Sequence, residues 1–310
     1  MGKLAFVFPG QGAQYQGMGK DISDHYPAAA AVFKEADQIL GRNITDICFN
    51  GPEELLKDTR NAQPAILTTS MALLKVLQQE GIKPNYTAGH SLGEYSALVA
   101  AGAIDFATAL KLVAKRSELM AAADVEGKGT MAAILGLDRA NLLECLEQAI
   151  AFGRIEPANF NCPGQIVISG AKAGMSRVQE LVAAKGGRFI PLAVSGPFHS
   201  SFMKDAAASF KGDLEKIDWK APAVPVIANV TAQPVGRDQL QDSLYRQIYS
   251  SVLWEDSLNF LHNNEVSSFI EIGPGKVLSG LIKKTIKGAA IINCEDSGSI
   301  KKALAFLKEV

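Results

Sequence analysis

The chain has 310 residues, of which 47% are hydrophobic and 20% are charged. This composition suits a large globular core and excludes disordered, collagen-like and coiled-coil proteins. The net charge of −1 provides no overall positive field for a nucleic acid or an anionic membrane. Apolar stretches fall far short of the roughly 20 residues of a membrane-spanning helix, and the N-terminal apolar run is too short for a signal peptide. We therefore expect a cytoplasmic protein that meets any anion locally. A monomer is the default expectation, since the sequence carries no signal of the oligomeric state.

The four cysteines are too widely spaced for a CxxC pair. They are Cys48, Cys145, Cys162 and Cys294. This spacing disfavours a zinc site and a small disulfide scaffold, so we expect free, buried thiols in a reducing compartment.

Short apolar runs alternate with helical patterns in the first 126 residues, which is typical of an α/β protein with a largely parallel sheet. Strands are predicted at 4–9 and 86–89, and helices at about 27–40, 62–80, 92–102 and 105–123. The alternation resumes after residue 197 with a helix at 202–217, a strand at 224–230, a helix at 238–249 and a strand at 269–272.

A different order begins after Gly127-Lys128-Gly129. The predicted elements are a strand at 131–137, a helix at 138–150, strands at 154–160 and 165–169, a helix at 174–185 and a strand at 188–194. This βαββαβ order is the ferredoxin-like plan. We therefore predict a small inserted domain at 127–196 within a large α/β core formed by 1–126 and 197–310, with a pocket at their junction.

A serine motif lies at the end of the second predicted strand. Gly89-His90-Ser91-Leu92-Gly93 fits GxSxG, in which a strained turn exposes the serine hydroxyl at the start of a helix. The following residues are mostly apolar or small, as expected of a buried helix behind a nucleophile. The alternative is a serine that only caps the helix, but a cap does not require both glycines.

A serine nucleophile needs a base, and the chain has four histidines. His199 follows Gly196-Pro197-Phe198 at the exit of the predicted insert, where a loop can deliver a side chain into a cleft. The alternative is a histidine that is hydrogen-bonded in the loop and takes no part in catalysis.

Arg116 is predicted to face the core. Helical rotation from an N-cap at Asp105 places it beside Leu112 and Met120. A buried guanidinium needs an anionic partner and matches a carboxylate with two parallel hydrogen bonds. That partner is either an internal Asp or Glu or a carboxylate on the substrate.

Gln11 lies in a glycine turn at the end of the first strand, where an α/β sheet contributes loop N–H groups to a site. Its backbone is a candidate for half of an oxyanion hole. The spacing of Gly10 and Gly12 fits neither GxGxxG nor GxxxxGK[ST], and ordinary turn chemistry also explains the loop.

Together these motifs resemble the malonyl-CoA:acyl-carrier-protein transacylases of bacterial fatty acid synthesis, which are related to acyltransferase domains of polyketide synthases. The resemblance runs nearly end to end. It is carried by residues 8–12, 63–65, 89–98, 116, 159–161, 163–165, 196–200, 247 and 271–278. It implies a hydrolase-like core with a ferredoxin-like insert.

The resemblance also implies roles for particular residues. Ser91 is the acylated nucleophile, His199 its general base and Arg116 the clamp on the malonyl carboxylate. The backbone N–H groups of Gln11 and Leu92 form the oxyanion hole.

The remaining implied roles concern the surroundings of this site. Gln247 holds His199 through its main-chain carbonyl. Asn161 and His90 line the pocket, and Phe198 favours malonyl over methylmalonyl groups.

The implied reaction is ping-pong acyl transfer from malonyl-CoA to the pantetheine thiol of an acyl carrier protein. No cofactor is implied beyond the CoA thioester substrate and the phosphopantetheine that the carrier bears. Because such carriers are usually acidic, a local basic patch is expected. Its candidates are Lys115, Lys185, Arg188, Lys204, Lys276, Lys283 and Lys284.

Three alternatives stay open at this point. GxSxG alone favours a serine esterase or thioesterase. A non-catalytic module that docks carrier proteins, and a discrete acyltransferase of a polyketide pathway, are the other two.

Overall fold

The computed structural model describes residues 2–124, 127–194 and 196–309. The strands are β1 (Lys3–Phe8), β2 (Tyr86–Gly89), β3 (Gly129–Leu135), β4 (Ile155–Cys162), β5 (Gln165–Ala171), β6 (Arg188–Pro191), β7 (Val226–Ile227), β8 (Val266–Ile272) and β9 (Ala290–Cys294). The helices before β3 are α1 (Lys20–His25), α2 (Pro27–Leu40), α3 (Ile44–Asn50), α4 (Glu53–Lys57), α5 (Thr59–Gln79), α6 (Gly93–Ala100) and α7 (Phe106–Ala122). The later helices are α8 (Arg139–Ala149), α9 (Lys172–Ala184), α10 (Lys204–Glu215), α11 (Leu240–Gln247), α12 (Trp254–Asn263), α13 (Val277–Thr285) and α14 (Ser297–Glu309).

A five-stranded parallel sheet forms the centre of the large core, in the order β7-β2-β1-β8-β9. The central strand β1 is apolar, and its last four side chains are buried, as expected when helices cover both faces of a parallel sheet. The carboxyl ends of β1 and β2 lie at the same edge, because Phe8 pairs with Gly89. The loops that follow these two strands are therefore neighbours.

A second, four-stranded antiparallel sheet has the order β4-β5-β3-β6. With α8 and α9 between its strands in the chain, this is the predicted ferredoxin-like arrangement. The fold class is therefore confirmed. The domain limits at 127 and 196 stay a prediction, because residues 125, 126 and 195 lie outside the described residues.

The antiparallel sheet is attached to the core through β4. Val252 exchanges backbone hydrogen bonds with this strand, donating to Ala158 O at 2.8 Å and accepting from Phe160 N at 2.9 Å. Nearby, Arg139 lies over the Phe160 ring at 4.3 Å and pairs with Asp256 at 2.8 Å. These contacts hold the carboxyl half of β4 beside the large core.

Two of the predicted strands differ from the structure, and α1, α3, α4, α12, α13, β9 and α14 were not predicted. The apolar run at 224–230 forms only the two-residue strand β7, because the chain then turns, with Ala228 N donating to Gln233 O at 3.0 Å. The predicted strand at 188–194 ends at Pro191. Of the helices described, none is both long enough and apolar enough to cross a bilayer.

Candidate active site

Ser91 lies on the tight turn between β2 and α6. Its φ of 51° is in the left-handed region, which costs free energy for a residue with a side chain and is typical of functional turns. The turn requires both flanking glycines, since a Cβ on Gly89 would lie 1.9 Å from Gly93 C and one on Gly93 would lie 2.1 Å from Phe8 O. The geometry is therefore that of a nucleophile elbow and not of a simple helix cap.

His199 contacts the serine directly. Its Nε2 lies 2.7 Å from Ser91 Oγ, and its Nδ1 lies 2.8 Å from the main-chain oxygen of Gln247. A carbonyl oxygen only accepts hydrogen bonds, so Nδ1 carries the proton and the lone pair of Nε2 faces the serine. Burial and the positive charge of Arg116 lower the pKa of His199 to about 3. The imidazole is therefore neutral at pH 7.

Arg116 is fully buried, and its guanidinium points at the nucleophile. One Nη group donates to Gln63 Oε1 at 2.7 Å, and the other to Gln247 Oε1 at 2.9 Å and Ser91 Oγ at 3.1 Å. All three acceptors are neutral. Burial lowers the pKa of Arg116 from its ordinary value, but a guanidinium keeps its charge in proteins.

A polar network that sequence reasoning missed fixes the elbow from behind. Asn229 accepts a hydrogen bond from Ser91 N at 2.7 Å and donates one to Gly89 O at 2.7 Å. Glu94 Oε2 accepts from Gln247 Nε2 at 2.6 Å and from Asn229 N at 3.2 Å. Burial raises the pKa of Glu94 to about 7.

The loop after β1 packs against the same turn. A Cβ on Gly10 would lie 2.4 Å from His90 O, so only glycine permits this approach. The Gln11 side chain is fixed by hydrogen bonds to Thr59 Oγ1 at 3.0 Å and from Gln63 Nε2 at 3.4 Å. Within the described residues, the N–H groups of Gln11 and Leu92 have no hydrogen-bond acceptor.

Ser91 and His199 open onto a cleft of about 220 Å³ between the two sheets. The core side is lined by the loop at 10–13 and by α13. Buried Glu271 fixes the first turn of α13, because its carboxylate accepts hydrogen bonds from Leu278 N at 2.9 Å and Ser279 N at 2.7 Å. The side contributed by the antiparallel sheet and its flanking residues consists of Met131, Asn159, Asn161, Gln165, Val167, Leu192 and Val194. Phe198 also lines the cleft and is nearly buried.

The structure thus brings most of the predicted site residues together. His90 Nε2 lies 2.8 Å from Asn161 Oδ1, and both residues line the cleft beside Ser91. Gln247 contacts His199 by its backbone and Arg116 by its side chain. Leu92 itself is fully buried behind the elbow, which leaves only its backbone available to a ligand.

Three further residues of the cluster carried no predicted role, namely Gln63, Glu94 and Asn229. The sequence does contain a signal for two of them, since Glu94 is the one charged residue of an otherwise apolar or small helix and Asn229 interrupts an apolar run. Gln63 has no such signal, because it lies in a polar stretch at the start of α5.

Comparisons with known proteins agree with this geometry. The sequence profile of the family described as "Acyl transferase domain" matches residues 5–306. The malonyl CoA-acyl carrier protein transacylase of Bacillus subtilis is 48% identical over 312 residues, covering 100% of this chain and 98% of that protein.

Solved structures are similarly close. The malonyl CoA-acyl carrier protein transacylase of Clostridium perfringens is 42% identical with a TM-score of 0.96, covering 99% of this chain and 98% of that one. A malonyl-transacylase solved in complex with its type II PKS acyl-carrier protein is 40% identical with a TM-score of 0.95, covering 98% and 99%. The chain therefore belongs to the malonyl CoA-acyl carrier protein transacylase family of acyl transferase domains.

Proposed function

We propose that this protein transfers a malonyl group from malonyl-CoA to the pantetheine thiol of an acyl carrier protein through a malonyl ester of Ser91. The observation that carries the proposal is the contact of 3.1 Å between Arg116 Nη2 and Ser91 Oγ. A cation so close to the nucleophile suits an acyl group whose free carboxylate is separated from the attacked carbonyl by a single carbon. Malonyl is that group.

In the first half-reaction, Ser91 Oγ attacks the thioester carbonyl while its proton passes to His199 Nε2. The carbon–sulfur bond of the tetrahedral intermediate then breaks, and the CoA sulfur takes the proton from His199. The N–H groups of Gln11 and Leu92 are the proposed donors to the oxyanion, since both lie beside Ser91 with no acceptor among the described residues.

In the second half-reaction, the carrier's thiol gives its proton to His199 Nε2 and its sulfur attacks the malonyl ester. The ester bond to Ser91 Oγ breaks, and the serine recovers the proton. The partner of His199 Nδ1 is a carbonyl, not a carboxylate, so the imidazolium is stabilised by a dipole alone. This favours a thiol as acceptor, because a thiol with a pKa of roughly 8.5 loses its proton far more readily than water.

Selection of malonyl groups is proposed to depend on two contacts. The guanidinium of Arg116 binds the carboxylate in place of its present neutral acceptors. Phe198 narrows the cleft beside His199, which disfavours an α-methyl group. His90 and Asn161 shape the wall next to the acyl group.

The carrier protein is proposed to approach over α13. Val277, Leu278 and Leu281 of this helix line the cleft. Lys283 and Lys284 lie exposed on the same helix, and Lys276 is exposed directly before it. Lys284 donates to Gln165, which lines the cleft, at 3.2 Å. Lys185 is less suitable, because it pairs with Glu144 at 2.8 Å. An acidic carrier surface would complement the α13 lysines.

A monomer in a reducing compartment such as the cytoplasm is part of the same proposal. The four cysteines are buried and unpaired, which supports the reducing compartment. No metal or redox cofactor enters the proposed steps.

The test is the intact mass of the protein after a brief incubation with malonyl-CoA, followed by a chase with pantetheinylated carrier protein or with buffer alone. We expect one malonyl adduct on Ser91 that survives in buffer and leaves with the carrier. An adduct that decays equally fast in buffer would identify a thioesterase. Absence of any adduct on folded protein would overturn the proposal.

A further inference from the structure

Glu94 is a buried carboxylate that the proposed steps do not use. It is 1% exposed and lies three residues after the nucleophile, in the first turn of α6. Burial of an isolated charge is costly, so its surroundings must compensate it. Its two hydrogen bonds come from neutral donors, the side-chain amide of Gln247 and the backbone N–H of Asn229.

Arg116 is likewise a buried charge without a charged hydrogen-bond partner among the described residues. It is fully buried, and its three hydrogen-bond acceptors are all neutral. The Gln247 amide hydrogen-bonds to both charged side chains, because its Nε2 donates to Glu94 and its Oε1 accepts from Arg116. The carboxylate and the guanidinium thus form an ion pair separated by one amide.

The orientation of this amide follows from its neighbours. Nε2 of Gln247 also donates to the Ser91 carbonyl at 2.9 Å, and both Glu94 and that carbonyl act as acceptors. The amide nitrogen must therefore face Glu94, which leaves the amide oxygen for Arg116. The guanidinium is compensated at a distance, and its Nη groups contact only neutral acceptors, which an incoming anion would replace.

We propose that Glu94 is the internal counter-charge of Arg116 and takes up a proton when the substrate carboxylate occupies the cleft, an inference that rests on the function proposed above. In molecules whose Glu94 is ionised, the buried cluster holds one cation and one carboxylate before acylation. A malonyl carboxylate on Arg116 adds a second negative charge near Glu94. Protonation of Glu94 restores the balance.

The charges around Glu94 support this assignment. Arg116 on α7 is the charge that lowers its pKa, while burial raises it to about 7. Tyr95, on the same helix, has a pKa raised to a value at which it stays neutral, and His199 is neutral as well. A carboxylate bound to Arg116 offsets the one favourable charge, so the pKa of Glu94 rises further.

The acylation chemistry itself releases no proton at pH 7, because the serine proton ends on the CoA thiol, whose pKa is roughly 8.5. Any net uptake therefore reports a change in the protein. Because burial raises the pKa of Glu94 to about 7 in the free enzyme, we expect malonylation at pH 7 to take up a measurable fraction of a proton, and less at lower pH, where Glu94 is already protonated.

The experiment mixes the enzyme with stoichiometric malonyl-CoA in weak buffer containing a pH indicator, and normalises the signal to malonyl-enzyme measured by intact mass. Glu94→Gln should acylate without proton uptake. Glu118→Gln is the matched control, because it removes an exposed carboxylate from the same helix as Arg116, and it should retain the uptake of the wild type.

Wild-type malonyl-enzyme formed at pH 7 without proton uptake would overturn the inference, as would undiminished uptake by Glu94→Gln. Failure to form malonyl-enzyme would overturn the proposed function and this inference with it. If Glu94→Gln does not fold, the protonation of Glu94 is tested by infrared difference spectra of wild-type enzyme that carries ¹³C-labelled glutamate. Malonylation should produce the band of a protonated carboxyl that shifts with the label, and a spectrum without it would contradict the inference.

Discussion

The two walls of the cleft are built from different chemistry. The core wall holds Ser91, His199 and Arg116, joined by hydrogen bonds of 2.7 and 3.1 Å to the serine. Two of these residues adopt positive φ, 51° at Ser91 and 56° at His199. The opposite wall, from the antiparallel sheet, presents mainly Met131, Val167 and other apolar or amide side chains, and none of these lining residues has a positive φ.

This difference separates reaction from recognition. Strain and buried polar contacts are concentrated where bonds are made and broken, and they require a rigid sheet behind them. The antiparallel sheet supplies no group to the proposed proton transfers, and we expect it to act as a shaped cover over the acyl group. Substitutions on the core wall should therefore have much larger effects than those opposite.

The largest effect is expected for Ser91→Ala, which removes the nucleophile. Transfer should fall by about 10⁴-fold or more, and no malonyl adduct should appear by intact mass. Ser96→Ala is the matched control, since Ser96 is a buried serine of α6 outside the cleft. A malonyl adduct on the Ser91→Ala variant would show that another residue is the nucleophile, and would contradict the division of roles between the two walls.

Arg116→Ala should reduce kcat/KM for malonyl-CoA by roughly 100-fold or more, the cost of removing one partner of a buried charged contact. Acetyl-CoA should lose much less, so the preference for malonyl should collapse. Lys115→Ala, which removes an exposed lysine next to Arg116, is the control. It should leave kcat/KM for both malonyl-CoA and acetyl-CoA unchanged. An unchanged ratio of malonyl to acetyl transfer would contradict its assignment.

His199 should make stability depend on pH. Its pKa is 6.5 when unfolded and about 3 in the folded protein, so the unfolded chain binds the extra proton between these values and stability falls as the pH drops through 6.5. Between pH 7 and pH 5 the wild type should lose about 2 kcal/mol more unfolding free energy than His199→Gln. Urea unfolding at both pH values measures this. Equal losses would show that His199 is not buried in its neutral form.

Phe198→Ala should relax selectivity where the two walls meet. Removing the ring makes room for an α-methyl group, and we expect methylmalonyl transfer to gain about tenfold relative to malonyl transfer. Phe202→Ala, a partly exposed phenylalanine that does not line the cleft, should leave the ratio unchanged. If methylmalonyl transfer does not increase in Phe198→Ala, another side chain must determine this selectivity.

Asn161→Ala tests the opposite wall and should have the smallest effect. It removes the partner of His90 Nε2 at 2.8 Å, so we expect a loss of about fivefold in kcat/KM, mainly as a higher KM for malonyl-CoA. Steady-state kinetics with malonyl-CoA and carrier protein will show this. A loss as large as that of Arg116→Ala would mean that the antiparallel sheet participates in the chemistry.

Local rules account for what sequence alone predicted well. The elbow at Ser91 is predicted by a motif of five residues, and the burial of Arg116 follows from rotation along one helix. Parallel pairing of β1 with β2 follows from apolar runs separated by helices. The order of elements was likewise sufficient to predict the ferredoxin-like sheet.

Long-range contacts account for what was not predicted. Asn229 reaches Ser91 from 138 residues away, and Gln63 reaches Arg116 from 53 residues away. The turn after β7 that delivers Asn229 looks like continued strand in the sequence, because the residues around it are apolar. Only the assembled fold shows that this amide replaces a missing backbone partner of the elbow.

Gln247 divides its two tasks between backbone and side chain, and this division has an evolutionary consequence. Its carbonyl holds His199, whereas its amide orients Arg116. Every amino acid offers the same carbonyl, so mutation of the codon leaves the general base supported. Selection can therefore change the side chain beside Arg116 while His199 keeps its hydrogen-bond acceptor, although the elbow then loses the bond of 2.9 Å from the amide to the Ser91 carbonyl.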